Sequence, residues 1–278
     1  MKITIVTINY NNKVGLKKTI DSILSQTYKD FEWIVIDGGS SDGSKELLET
    51  YKDYFSYCCS EKDTGVYNAQ NKGISKATGE YVNCMNSGDV FANGHTLQEA
   101  IQKHFVADIV YGDWVRCEPK GLNYMKAPTK MTKMFLFTDN ICHQAMFVKT
   151  HLLQKKGFDE SLKIFSDWLR WRELLCEGAT FQYLGMPICI YDSGGLSDTP
   201  SAQNTKERQM LHDLIPADLV DEVEEHAKLK EKLWKYENNK FLLDTYHLVF
   251  ERPLYCHFIK CNLWMMKLLK KFVDKLKI

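Results

Sequence analysis

A chain of 278 residues with 44% hydrophobic and 26% charged side chains carries enough apolar mass for a true core, which excludes a disordered chain, a collagen-like fibre and a disulfide-stapled miniprotein. The length suits one large domain or one domain with an appendage. Thirty-six basic and thirty-six acidic residues cancel to a formal net charge of zero, so nucleic acid is not expected as a partner. Residues 1–9 are too short and interrupted for a signal peptide, and no uncharged apolar run approaches the ~18 residues of a membrane span. The nine cysteines form no C-x-x-C pair, and a reducing, cytoplasmic compartment is expected. Cys58 and Cys59, adjacent in a strand, are read as core filling.

Residues 3–8 are β-branched without clean alternation, as in a strand buried on both faces. Leu16, Ile20, Ile23 and Leu24 then recur at helical spacing. A second buried strand, 33–36, closes on the turn Asp37-Gly38-Gly39-Ser40-Ser41-Asp42-Gly43, and a short helix runs from Ser44 to about Lys52. Strand and helix alternate again through 55–60, 66–76 and 81–85, the rhythm of βαβ units in a mostly parallel sheet flanked by helices. Residues 108–192 read as short strands (109–111, 114–117, 145–148, 181–184 and 188–191) around one clear helix, 167–176. Beyond residue 200 the chain is helix-forming, which divides it into an α/β domain, 1–200, and a helical extension, 201–278.

Residues 258–278 set Lys260, Lys267, Lys270, Lys271, Lys275 and Lys277 against a single acid, Asp274, with Leu, Trp, Met and Phe filling the remainder. That composition fits an amphipathic helix lying on an anionic membrane surface, at the inner face of the cell membrane. A helix packed on the domain or a homodimer seam is the alternative.

Strand ends carry the chemistry, because ligands of such sheets sit beyond the carboxyl ends of the strands. Those ends are Asn9-Tyr10-Asn11-Asn12, Asp37, Glu61-Lys62-Asp63 and Asn86-Ser87-Gly88-Asp89. A carboxylate at Asp37 suits a nucleobase N–H or ribose hydroxyl, and the glycines beside it permit close approach; a simple turn and helix cap is the bland alternative.

The runs 6–11, 16–28, 32–44, 63–73 and 77–89 together resemble family 2 glycosyltransferases of the GT-A fold, with residue types and spacing matching over roughly residues 1–195. The resemblance implies an inverting transferase that moves a sugar from a nucleotide-sugar, expected to be a UDP-sugar, to an acceptor hydroxyl. It assigns donor binding to Thr7, Asn9, Asn11, Asp37, Asp63, Asn71, Ser87 and Gly88, and a divalent cation, Mn²⁺ or Mg²⁺, to Asp89. A hard cation on oxygen ligands would offset the charge that a departing diphosphate gains. The family's acidic motif, often Asp-x-Asp-Asp, is Asn86-Ser87-Gly88-Asp89 here, which leaves one acid; the chain resembles a subgroup, similar to bacterial surface-polysaccharide glycosyltransferases, that reads Asn-Ser-Gly-Asp as well.

The stretch Ile141–Phe147 resembles the His-Gln element of a subgroup, and Ser166-Asp167-Trp168-Leu169-Arg170 the segment that supplies the catalytic base, here Asp167. Ser166 and Asp167 would also serve as a plain helix start. His143, Gln144, Trp168, Arg170, Gly194 and Gly195 are candidate acceptor or phosphate contacts, with a structural role for His143 or Trp168 and a solvated face for Arg170 as alternatives. A glycan or lipid-linked glycan acceptor in surface-polysaccharide assembly (capsule, O-antigen or exopolysaccharide) is the expected setting. The rival is a non-catalytic nucleotide-sugar-binding or scaffolding protein with a degenerate metal motif.

Overall fold

The β-branched run at the start of the chain forms β1 (Ile3–Asn9), buried at every residue. The computed structural model describes residues 1–119, 121–195 and 200–237. α1 (Lys13–Leu24) follows, its first turn capped by Asn12, whose side chain accepts from Gly15 N at 3.0 Å. β2 (Phe31–Asp37) then pairs in parallel with β1. After α2 (Ser44–Thr50), β3 (Tyr57–Ser60) adds in parallel to the outer side of β2. α3 (Val66–Lys76) crosses back, and β4 (Tyr81–Cys84) pairs in parallel with the other side of β1. Glu32, buried on β2, ties these pieces together: its carboxylate accepts from Thr4 Oγ1 (2.6 Å), Thr78 N (2.7 Å) and Thr78 Oγ1 (2.8 Å). Burial pushes that carboxyl up, but the hydrogen bonds outweigh it and the net direction is down.

The second half comprises β5 (Val90–Phe91), α4 (Thr96–Gln102), β6 (Ile109–Glu118), β7 (Gly121–Met125), α5 (Lys133–Thr138), β8 (Met146–Lys149), α6 (Thr150–Lys155), α7 (Ser166–Cys176) and β9 (Phe181–Asp192). Among the described residues one nine-stranded sheet runs in the order β3-β2-β1-β4-β8-β6-β9-β5, with β7 hairpinned onto β6. The parallel sheet expected from the βα rhythm occupies the first half. Beyond β4 the sheet is mixed: β8 lies antiparallel to both β4 and β6, β5 antiparallel to β9, and β6 parallel to β9.

Two expectations change. The pairs of short strands predicted at 109–117 and 181–191 are each one strand, and the β6–β9 ladder continues through a register shift around Asp113. Gly112 permits that close approach, since a Cβ there would lie 2.5 Å from Met186 O. Cys58 is not core filling, because it is exposed on the edge strand β3, whereas the half-buried Cys59 packs against the core. The described cysteines are free thiols.

The chain divides into two compact units, Met1–Ala217 and Asp218–Ile278. The first contains α8 (Ala202–Asp213), capped by Ser201, and so extends past residue 200. In the second, the structure describes α9 (Val220–Glu237). The basic segment 258–278 lies outside the described residues. Among the described residues no helix is long and apolar enough to cross a membrane.

Candidate active site

The carboxyl ends of β1, β4 and β9, the start of α3, the turn His143–Ala145 and the approach to α7 open on one cleft of about 840 Å³. Of the residues expected to bind a donor, Asn9, Asp63, Ser87 and Gly88 line it. So do Asp89, His143, Gln144, Asp167, Gly194 and Gly195. Asp63 sits over the glycine turn after β2: its Oδ1 accepts from Gly65 N at 2.9 Å, and its Oδ2 would be 2.6 Å from a Cβ on Gly38. Gly88 adopts φ +107°, a left-handed conformation that favours glycine and bares the backbone beside Asp89.

Asp167, in the first turn of α7, is 7% exposed and is held from three sides. His143 Nδ1 lies 2.9 Å from its Oδ2, while Tyr67 Oη (3.0 Å) and the Trp168 amide (2.8 Å) reach its Oδ1. Four lone-pair sites against three partners leave the carboxylate one acceptor position. Tyr67, on α3, has one O–H, which lies between Asp167 Oδ1 and Ile164 O (2.6 Å) and so ties the start of α7 to α3.

Asp89 is buried at the cleft floor, where its Oδ2 accepts from Gln144 Nε2 (2.5 Å) and its Oδ1 from Asp192 N (3.0 Å). Burial pushes its carboxyl up to about 6, against the opposing pull of those two hydrogen bonds, and the neighbouring Asp192 adds to the rise. A cation would relieve a crowded acid of this kind. Among the described residues, however, no three His, Cys, Asp or Glu side chains converge as a metal cage. Such a donor set would suit only a cation that brought most of its oxygen ligands with it, with Asp89 as the acid in the cleft placed to add one.

Asp37 lies behind the cleft wall. It is fully buried, and Asn9 Nδ2 (2.7 Å), Ser40 Oγ, Ser40 N, Gly39 N and Ser60 Oγ occupy both its oxygens. Burial raises its pKa, yet the donors from Ser40, Ser60 and Asn9 prevail and hold it low. Its reach to the cleft is through Asn9.

Five predicted contacts turn away from the cleft. Thr7 is buried beside β2, accepting from Trp33 Nε1 at 3.0 Å. Asn11 stitches the glycine turn, its side chain accepting from Ser41 N at 2.8 Å. Asn71 clamps residue 158 through both its amide oxygen and nitrogen, each at 2.9 Å. Trp168 donates to Leu136 O at 2.6 Å beneath the Arg172 guanidinium. Arg170, 2% exposed, is paired with Glu173 at 3.0 Å and Glu177 at 3.2 Å, so it is no phosphate contact. Conversely, Tyr67, Trp114, Arg116 and Asp192 line the cleft without having been singled out. Trp114 and Arg116, two apart on one strand, share a face.

The chain superposes on solved glycosyltransferases, S. aureus TarS among them, and the fold is GT-A. S. aureus TarS 1–349 in complex with UDP-GlcNAc superposes with a TM-score of 0.60 at 19% identity, over 77% of this chain and 65% of that one, under two thirds of its length. The mannosyltransferase PcManGT from Pyrobaculum calidifontis, in complex with GDP-Man and Mn²⁺, superposes with a TM-score of 0.56 at 16% identity, over 95% and 84% of the two chains. The profile described as glycosyl transferase family 2 matches residues 4–177, and the chain belongs to that family. A PGL/p-HBAD biosynthesis glycosyltransferase of Mycobacterium tuberculosis (strain ATCC 25177 / H37Ra) is 28% identical over 205 residues, 70% of this chain and 79% of the relative. Glycosyltransferase Rv1514c of Mycobacterium tuberculosis (strain ATCC 25618 / H37Rv) is 30% identical over 226 residues, 77% of this chain and 85% of the relative.

Proposed function

We propose that this glycosyltransferase inverts configuration, moving a sugar from a UDP-sugar to an acceptor hydroxyl with Asp167 as general base. The observation that carries the reading is the Asp167 carboxylate, fixed on three sides with one acceptor position left, in the same cleft as Asp89. In the reaction the acceptor oxygen forms its bond to the anomeric carbon as that carbon's bond to the diphosphate breaks. The acceptor's proton passes to Asp167, and the bonding pair leaves with the nucleoside diphosphate. Asn9 and Asp63 face the nucleoside; Ser87, Gly88, Gly194 and Gly195 border the diphosphate; Gln144 holds Asp89 in place. A Mn²⁺ or Mg²⁺ ion on Asp89 supplies positive charge to the leaving group when bound.

UDP is preferred over GDP on the likeness to the UDP-GlcNAc-bound TarS, and the GDP-Man-bound neighbour makes the choice testable. For the acceptor, a glycan or lipid-linked glycan in surface-polysaccharide assembly rests on the sequence resemblance. Work at the inner face of the membrane is supported by the sequence of residues 258–278 alone.

The test is a thermal-shift panel of UDP-, GDP- and dTDP-sugars with and without Mn²⁺ or Mg²⁺, followed by turnover of the donor it selects. Asp167→Asn should abolish transfer while donor affinity stays within about threefold. Wild-type turnover in that variant would remove Asp167 as base, and an unaltered protein that binds donor without ever turning it over would favour the binding-protein alternative.

A further inference from the structure

The chain departs from its family's acidic pattern at Asn86, and the structure supplies a partner for the amide that stands there. Asn86 Nδ2 lies 3.0 Å from His143 Nε2, and Gln70 Nε2 lies 3.3 Å from the same nitrogen. Asn86 Oδ1 accepts from Gln70 Nε2 at 3.1 Å, which sets the end of the Asn86 amide that faces the ring. Gln70 Oε1, at the far end of this chain, is buried with no protein partner. Across the imidazole, Nδ1 stands 2.9 Å from Asp167 Oδ2.

A neutral imidazole has one N–H and one lone pair, and the group that bonds one nitrogen decides the state of the other. A carboxylate oxygen accepts only, so the proton belongs on Nδ1. Nε2 must then accept, and two amide N–H groups converge on it. We infer that Asn86 is a positioning residue that fixes the tautomer of His143, so that the single N–H of the ring is aimed at Asp167. An acid at position 86 would accept from Nε2 instead. It would either draw the proton from Nδ1 and leave two acceptors facing each other at Asp167, or bring in a second proton and set an imidazolium against the base. An amide supplies the needed donor where a carboxylate cannot, which gives a physical reason for the departure at this position.

The other titratable groups around the pair are Tyr67, Cys84 and Asp89. Burial raises the Tyr67 phenol well above its usual range and the Cys84 thiol to about 12, so both stay neutral. Asp89 is engaged by Gln144 and the Asp192 amide. None of these three groups is hydrogen-bonded to a ring nitrogen of His143, whose partners are Asp167, Asn86 and Gln70.

The inference rests on the reading of Asp167 as base, and it can be separated from that reading. ¹⁵N spectra of the full chain, labelled in histidine, report the protonation of each ring nitrogen, and the loss of one spin system in His143→Asn assigns His143. The unaltered protein at neutral pH should show a protonated Nδ1 and a bare Nε2; Asn86→Asp should show a protonated Nε2. In turnover of the UDP-sugar chosen by the panel above, Asn86→Asp and His143→Gln should lower kcat about 10- to 100-fold, the usual loss for a supporting partner, with KM for donor changed less than about twofold. His143→Asn, whose amide nitrogen falls near the place of Nδ1, should recover much of that loss. A bare Nδ1 or a doubly protonated ring in the unaltered protein would overturn the inference. So would an Asn86→Asp enzyme with an unchanged spectrum and rate, while Asp167→Asn is inactive. Wild-type turnover by Asp167→Asn would overturn the base reading, and this inference with it.

Discussion

At Asp89 burial and hydrogen bonding pull in opposite directions. A carboxyl that titrates at 3.8 when solvated is pushed to about 6 here, so the folded state keeps its proton longer than the unfolded state does. Ionisation therefore lowers stability above about pH 6, and the penalty fades as pH falls from about 6 to about 4; a difference of two pKa units is worth about 2–3 kcal/mol. Asp89→Asn should remove it. Gln144 can accommodate the new amide by turning its own, because its Oε1 has no partner. The expected outcome is a variant with a higher Tm than the unaltered protein at pH 7.5, a gap that narrows by pH 5, and loss of cation-dependent donor binding. Equal Tm values at both pH values would refute the tension. The same scale shows where sequence is legible. That Asp89 and Asp167 would share a cleft was legible, Asp89 as an acid at a strand end and Asp167 through the family resemblance. Arg170 was misplaced, although Glu173 three residues on in the same helix signals an intrahelical pair. Trp168 was misplaced because a helix turns its neighbour about 100° from Asp167. Asn86 was noticed as a missing acid; its gain as a donor needed the ring of His143, brought in from a distant turn.

At the scale of elements, the first four strands were readable because β1 and β2 are local β-branched runs and helices alternate with the strands through to β4. The second half was not. β8 inserts between β4 and β6, and β5 reaches β9 almost a hundred residues later, pairings that leave no local trace. β6 and β9 each looked like two strands because glycine breaks the apolar run while the ladder continues through the register shift. Gly112 is the weak point of that ladder. A methyl there meets Met186 O at 2.5 Å and Ile188 Cγ1 at 2.6 Å, and a backbone carbonyl within a ladder cannot step aside. Gly112→Ala should therefore lose about 1–3 kcal/mol of stability in urea unfolding, as overpacked sites do. An unchanged midpoint would mean that the strands separate at little cost.

For the whole molecule, the formal charge of zero conceals an uneven distribution, with six lysines against one aspartate in residues 258–278. Basic segments gain about 1 kcal/mol per charge near an anionic leaflet, and salt screens that attraction. The full chain should co-sediment with phosphatidylglycerol-containing vesicles at low ionic strength, release at high salt, and ignore pure phosphatidylcholine. Equal binding to both would discard the electrostatic contribution.

Glu207 of α8 grips three successive amides, those of Lys163 (2.7 Å), Ile164 (2.9 Å) and Phe165 (3.0 Å), immediately upstream of Asp167. The Arg208 guanidinium lies over the Phe165 ring and the Arg172 guanidinium donates to Leu211 O. A protein trimmed to the stretch that resembles its family, ending near residue 195, would keep every group assigned to the chemistry and lose the brace that sets the base. Sluggish turnover in such a shortened enzyme would then record a slack hinge behind Asp167, with the reacting groups themselves intact.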